Sequence, residues 1–118
     1  MDNLKKKFYE KSSALKGEIK SLLKEHGNTK VDEVTLSQIF GGARGIKMMI
    51  WEPSSLDPVE GIRFRGYSIP ELRGLLPKGV CGEEPRPEGL FWLLMTGEIP
   101  TDGEVNWLTG QWSSRSHV

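Results

Sequence analysis

The residues best suited to chemistry are Gly41-Gly42-Ala43-Arg44-Gly45-Ile46-Lys47, a guanidinium set among glycines. Glycines let backbone N–H groups approach an anion closely, and an arginine adds a planar fork that matches two phosphate oxygens. The run is not a Walker loop, because the Lys-Ser/Thr end is missing and no helix is expected to open after it. Nor does it match the G-x-G-x-x-G fingerprint. It reads either as a plain turn or as an anion-binding loop centred on Arg44. Arg63 and Arg65 flank Phe64 and read either as paired surface cations on an edge strand or as the wall of an anionic groove.

The remaining reactive side chains are sparse. His26 falls where the first helix should end, a place that favours a positive charge, and His117 is next to the last residue. Cys81 has Lys78 nearby but Glu83 and Glu84 as well, a poor setting for a thiolate nucleophile. One cysteine excludes an internal disulfide and an all-cysteine zinc site, and two histidines make a mixed zinc cluster improbable. No Ser/His/Asp set or carboxylate pair can be assembled. From the residues alone, the chain has no catalytic apparatus.

The elements that must hold these groups are mostly helical. Leu4, Phe8, Leu15, Ile19, Leu22 and Leu23 form a helical stripe among lysines, and Gly27-Asn28 supplies a stop. Lys16, Lys20 and Lys24 recur at i, i+4 and repel, and Gly17 weakens the helix further. Val31 to Phe40 fits a short strand or a helical turn equally well. Ile46 to Trp51 is β-leaning, Glu52 to Pro58 is turn material, and Gly61 to Tyr67 alternates apolar and basic residues. Together these predict a hairpin with a loose loop. Ser68-Ile69-Pro70-Glu71 and Thr101-Asp102-Gly103-Glu104 are capping boxes that open two helices. Between them Pro87-Glu88 opens Gly89 to Met95, apolar almost all round, which needs more cover than so short a chain provides. Val105, Leu108 and Trp112 share one stripe of the last helix, and the four tryptophans read as core or interface residues. At most four helices and one hairpin are expected.

Composition bounds the function classes. The 118 residues carry 16 Lys plus Arg and 16 Asp plus Glu. Zero net charge argues against a dedicated nucleic-acid binder. Residues 1–30 hold eight Lys against four acids and the rest hold the opposite excess, so a basic arm is the only nucleic-acid feature. No apolar run approaches the roughly 18 residues of a membrane span. The start, Met1-Asp2-Asn3-Leu4-Lys5, shows no apolar signal region and no Arg/Ser-rich stretch.

Longer strings carry a resemblance. Gly41 to Lys47, Leu56-Asp57-Pro58, Glu60 through Glu71, Leu76-Pro77-Lys78, Glu83-Glu84-Pro85 and Pro87 through Thr101 resemble, in order, the N-terminal region of eukaryotic, mitochondrial-type citrate synthases. Lys24 to Thr29 and Val105 to Leu108 fit as well. The resemblance implies a mainly α fold: residues 1–29 as an amphipathic Lys-rich helix, and residues 30–118 as the start of a large helical domain with a hairpin near 46–67. It implies a homodimer of the mitochondrial matrix that condenses acetyl-CoA with oxaloacetate and water to citrate and CoA. Both small molecules are substrates, and no cofactor, metal, nucleic acid or membrane is involved. The family's catalytic His and Asp residues come from later in its chain; His26 and His117 match neither histidine. The expectation is therefore an N-terminal segment without activity of its own. Arg44 aligns with the family arginine that contacts acetyl-CoA phosphate, while Ala43 departs from the usual Met. Two alternatives stand beside this reading: a 2-methylcitrate synthase segment, and a short non-catalytic isoform that binds full-length subunits.

Overall fold

A computed structural model describes residues 3–49 and 53–116, so Trp51 and His117 lie outside the described residues. The described chain is mainly helical, with five helices and three short strands. It gathers into two compact units, one of residues 1–12 with 53–118 and one of residues 13–52. Helix α1 (Asn3–His26) contributes to both, and none of its residues is buried. Lys24 and His26 occupy its last turn, where positive charge meets the negative end of the helix dipole.

In the unit of residues 13–52, the choice left open for Val31 to Phe40 resolves as helix α2 (Leu36–Phe40). The cause is local and readable. Thr35 accepts from the Gln38 amide at 3.4 Å, and the Gln38 side chain accepts from the Thr35 amide at 2.9 Å, a reciprocal capping box. This helix raises the count to five where at most four were expected.

The hairpin differs from its sequence expectation. Residues 46–49 are not strand; the first strand, β1 (Ser54–Asp57), pairs antiparallel with β2 (Gly61–Phe64). Asp57 explains the shift. Its carboxylate accepts from the amides of Val59 at 2.8 Å and Glu60 at 2.7 Å, closing a tight turn within what reads as a long loop. Gly61 to Tyr67 is not one strand either. Arg65 and Gly66 both have positive φ, 52° and 89°, the requirement of a two-residue reversal, and β3 (Tyr67–Ser68) follows. The sheet has three strands in the order β1-β2-β3.

Helices α3 (Ile69–Leu75), α4 (Pro87–Thr96) and α5 (Asp102–Arg115) complete this unit. Both expected capping boxes are present, on Ser68 with Glu71 and on Thr101 with Glu104. Helix α4 stops at Gly97, whose φ of 76° is the left-handed cap that glycine adopts without a Cβ penalty. Leu72, Leu76 and Leu93 form the core, with Phe64, Tyr67, Leu90 and Ile99 packed against it. Trp92, Val105 and Leu108 are buried as well. The apolar α4 does lack full cover: Gly89, Trp92, Leu93 and Thr96 are buried, whereas Phe91 and Leu94 stay exposed.

Candidate functional site

The Arg44 turn begins where α2 ends. The Gly41 amide donates to Ser37 at 2.9 Å, Gly42 to Ile39 at 3.1 Å and Ala43 to Gln38 at 2.9 Å, so three successive amides satisfy carbonyls of the helix end. The turn then reverses through positive φ at Gly42 (75°), Ala43 (63°) and Gly45 (75°). Ala43 is the costly member, because an L residue with a Cβ is strained there by about 1 kcal/mol. Ile46 donates back to Ala43 at 3.3 Å, and the Gln38 side-chain amide reaches the Gly45 carbonyl at 3.4 Å. Gln38 thus both caps α2 and ties down the turn.

That accounting leaves the amides of Arg44 and Gly45 without an acceptor among the described residues. The Arg44 side chain is exposed and likewise has no partner among them. A fixed guanidinium-bearing turn with two spare amides suits an anionic oxygen cluster better than it suits proton transfer, since arginine stays charged.

The other candidates are placed differently. Arg63 lies on the middle strand and not on an edge. Its Nε donates to Glu60 at 3.1 Å, its Nη1 to the Gly66 carbonyl at 2.7 Å, and Glu71 stands 3.7 Å away. The Glu60 hydrogen bond holds that carboxyl below the usual carboxylate range. Arg65 sits in the reversal and turns inward: Nε and Nη2 donate to the Leu94 carbonyl at 3.0 and 2.6 Å. Arg63 and Arg65 are therefore engaged in holding the hairpin, and the expected pair of edge-strand cations is not formed. The signal for Arg65 lay only in the fold, because its acceptor is 29 residues away in sequence. His26 closes α1, and Cys81 is a free, exposed thiol. Trp92 is fully buried, Trp107 half-buried and Trp112 exposed, the last meeting Phe91 edge-on at 5.3 Å.

A second cluster, which sequence reasoning missed, joins the start of α1 to α4 and α5. Lys7 lies 2.7 Å from Glu104 and 3.5 Å from Glu98, while Lys11 lies 2.5 Å from Glu98. The Lys7 ammonium also stands 5.5 Å from the centroid of the Trp92 ring. The Glu104 hydrogen bond pushes Lys7 above its ordinary 10.5, and the Lys11 hydrogen bond holds Glu98 below its ordinary 4.5. No periodicity marks these long-range pairs.

Among the described residues, no group of three His, Cys, Asp or Glu side chains could hold a metal ion. No helix among them is long and apolar enough to cross a membrane.

Known proteins share this sequence closely. The family profile "Citrate synthase, C-terminal domain" matches residues 42–118, beginning within the Arg44 turn. "Citrate synthase, mitochondrial" of Aspergillus niger is 56% identical over 116 residues, 98% of this chain and 24% of that protein. The protein of the same name from Neurospora crassa is 56% identical over 115 residues, again 98% and 24%. "2-methylcitrate synthase, mitochondrial" of Yarrowia lipolytica is 55% identical over 117 residues, 99% of this chain and 25% of that protein. The chain thus spans about a quarter of the length of these relatives. Because the family profile covers well over half of its residues, the chain belongs to the citrate synthase family.

Proposed function

We propose that this chain serves as a segment of a mitochondrial citrate synthase, in which Arg44 holds a phosphate of acetyl-CoA. The overall reaction joins the acetyl methyl carbon to the carbonyl carbon of oxaloacetate, and water then cleaves the thioester to release citrate and CoA. The observation that carries the role of Arg44 is the turn itself: strained positive φ at Ala43 and, among the described residues, two amides without an acceptor and an exposed guanidinium without a partner. Such a fork, together with backbone amides, complements a phosphate without changing its own protonation. Residues 30–118 act in this reading as the start of the helical domain. The working unit is a homodimer, and the 118 residues alone do not catalyse condensation.

The test uses the polypeptide captured from source cells with an antibody raised against residues 1–118. It should release CoA thiol from acetyl-CoA only when oxaloacetate is present, whereas purified 1–118 should release none. In the active polypeptide Arg44→Gln should raise the KM for acetyl-CoA about tenfold, the loss of one charged hydrogen bond, and leave that for oxaloacetate unchanged. Absence of oxaloacetate-dependent thiol release from the captured polypeptide would overturn the reading. A second reading, favoured by the Yarrowia lipolytica relative, is 2-methylcitrate synthesis from propionyl-CoA. Comparing the two acyl-CoA substrates at equal oxaloacetate decides between them.

A further inference from the structure

The Lys7–Lys11 cluster sits outside the residues matched by the family profile, while both of its carboxylate partners, Glu98 and Glu104, sit inside them. It joins the first turns of α1 to the corner between α4 and α5. Two features set it apart from ordinary surface ion pairs. Lys7 meets two carboxylates and an aromatic face at once, and the Glu104 side chain is only 12% exposed. Glu104 is itself held: its Oε2 accepts from the Thr101 amide at 2.9 Å and the Thr101 hydroxyl at 3.1 Å. The carboxylate is therefore pre-positioned by the α5 cap before any lysine arrives, so less side-chain entropy is lost on pairing.

Beside the cluster lies a shallow groove of about 280 Å³, with Leu4 and Phe8 of α1 on one wall and Phe91, Met95, Trp107 and Trp112 on the other. Leu4 and Phe8 are only partly covered there, so apolar burial holds the start of α1 weakly. Charge must supply the remainder.

We infer that Lys7 and Lys11 form an electrostatic strap that holds residues 3–12 against the α4–α5 corner, so that releasing it opens the aromatic groove. Ion pairs are screened where apolar packing is strengthened, so the strap is distinguishable from simple helix docking by its response to salt.

Hydrogen exchange of the purified chain, followed peptide by peptide, tests this. Residues 3–12 are read against α4 as an internal reference, in about 20 mM and about 1 M NaCl, where the screening length falls to roughly 3 Å. Raising salt should speed exchange of residues 3–12 about three- to tenfold and leave α4 unchanged. Lys7→Met keeps the alkyl stem over Trp92 but removes the charge. It should give the fast exchange already at low salt and lose most of the salt response. Lys7→Arg should retain protection, and apolar-dye fluorescence should rise in step with exchange. Salt-independent exchange of residues 3–12, or wild-type behaviour of Lys7→Met, would overturn the strap. So would an unprotected α4, since the corner would then not be formed.

Discussion

The two ends of α1 carry the same pattern and meet different fates. Leu4 and Phe8 recur eleven residues later as Leu15 and Ile19, so the same apolar spacing is written into both ends. In the first end, Lys7 and Lys11 meet Glu104 and Glu98, and Leu4 and Phe8 line an aromatic groove. In the second, Leu15, Ile19, Leu22 and Leu23 join Met48 and Met49 around an open apolar groove of about 660 Å³. Lys16, Lys20 and Lys24 find no carboxylate partner among the described residues. Amphipathicity tells a helix which face it can bury. Whether that face is buried depends on what the rest of the chain brings to it.

The contrast extends to the units. The buried side chains of Leu72, Leu76, Trp92, Leu93, Val105 and Leu108 all lie in the unit of residues 1–12 and 53–118, and among the described residues of the other unit none is buried. The sharpest way to break the comparison is therefore truncation. Leu93→Ala should cost about 2–5 kcal/mol, because its side chain is fully enclosed and leaves a cavity. Leu23→Ala on the open groove should cost well under 1 kcal/mol, since its side chain is already largely in water. Urea unfolding of both variants checks this, and equal losses would show that the second end of α1 is packed.

Capping gives a finer comparison. Thr101→Ala removes the box at the head of α5 and frees Glu104, the carboxylate that Lys7 uses; about 1–2 kcal/mol should be lost. Thr35→Ala removes the equivalent box from the five-residue α2, where nothing is buried. It should cost about 0.5 kcal/mol and appear mainly as faster exchange of residues 36–46.

How much of this was legible follows the range of each interaction. Both expected capping boxes, the Gly97 stop and the Gly27 stop of α1 come from residues within one turn of each other, and the structure has them as read. The strands of the hairpin differ from their sequence expectation because Asp57 satisfies two amides with one carboxylate, which lets a turn sit where the residue types suggest a longer loop. Arg63 and Arg65 look like a matching pair in the sequence because alternation shows only which face a side chain takes. The backbone reversal at Arg65 sends it to the Leu94 carbonyl instead. At the Arg44 turn, glycine content announced a reversal, whereas the spare amides appear only once every neighbouring donor is accounted for.

Acid sharpens the comparison further. Glu98 and Glu104 lie below their ordinary 4.5. Lys11 dominates the Glu98 shift, whereas burial pushes Glu104 up and the Lys7 and Thr101 hydrogen bonds outweigh it. A depressed carboxylate contributes stability that is complete above its unfolded value and is lost as pH falls through the folded one. Lys7, raised above 10.5, contributes below that value and loses its share as pH rises through the raised one. The urea midpoints of the native chain and Lys7→Met should therefore differ at pH 7, by about 0.5–1 kcal/mol in stability, and converge as pH falls below 4.5 and through the lowered values of Glu98 and Glu104.

Replacing Ala43 by glycine should act in the opposite direction. Ala43→Gly removes a Cβ from a left-handed position and should stabilise the Arg44 turn by up to about 1 kcal/mol, offset by the greater freedom of the unfolded chain. Slower amide exchange at residues 43–46 would report it.

The bond from Arg65 to the Leu94 carbonyl in the last turn of α4 also has a consequence in time. Its acceptor is made available by a helix end, so the interaction forms only after α4 has wound and docked beside the hairpin. A contact of that kind, across 29 residues, belongs to the native side of the folding barrier. Replacing Arg65 should accordingly leave the folding rate almost untouched and speed unfolding, so that the residue governs how long the hairpin stays attached to the helix.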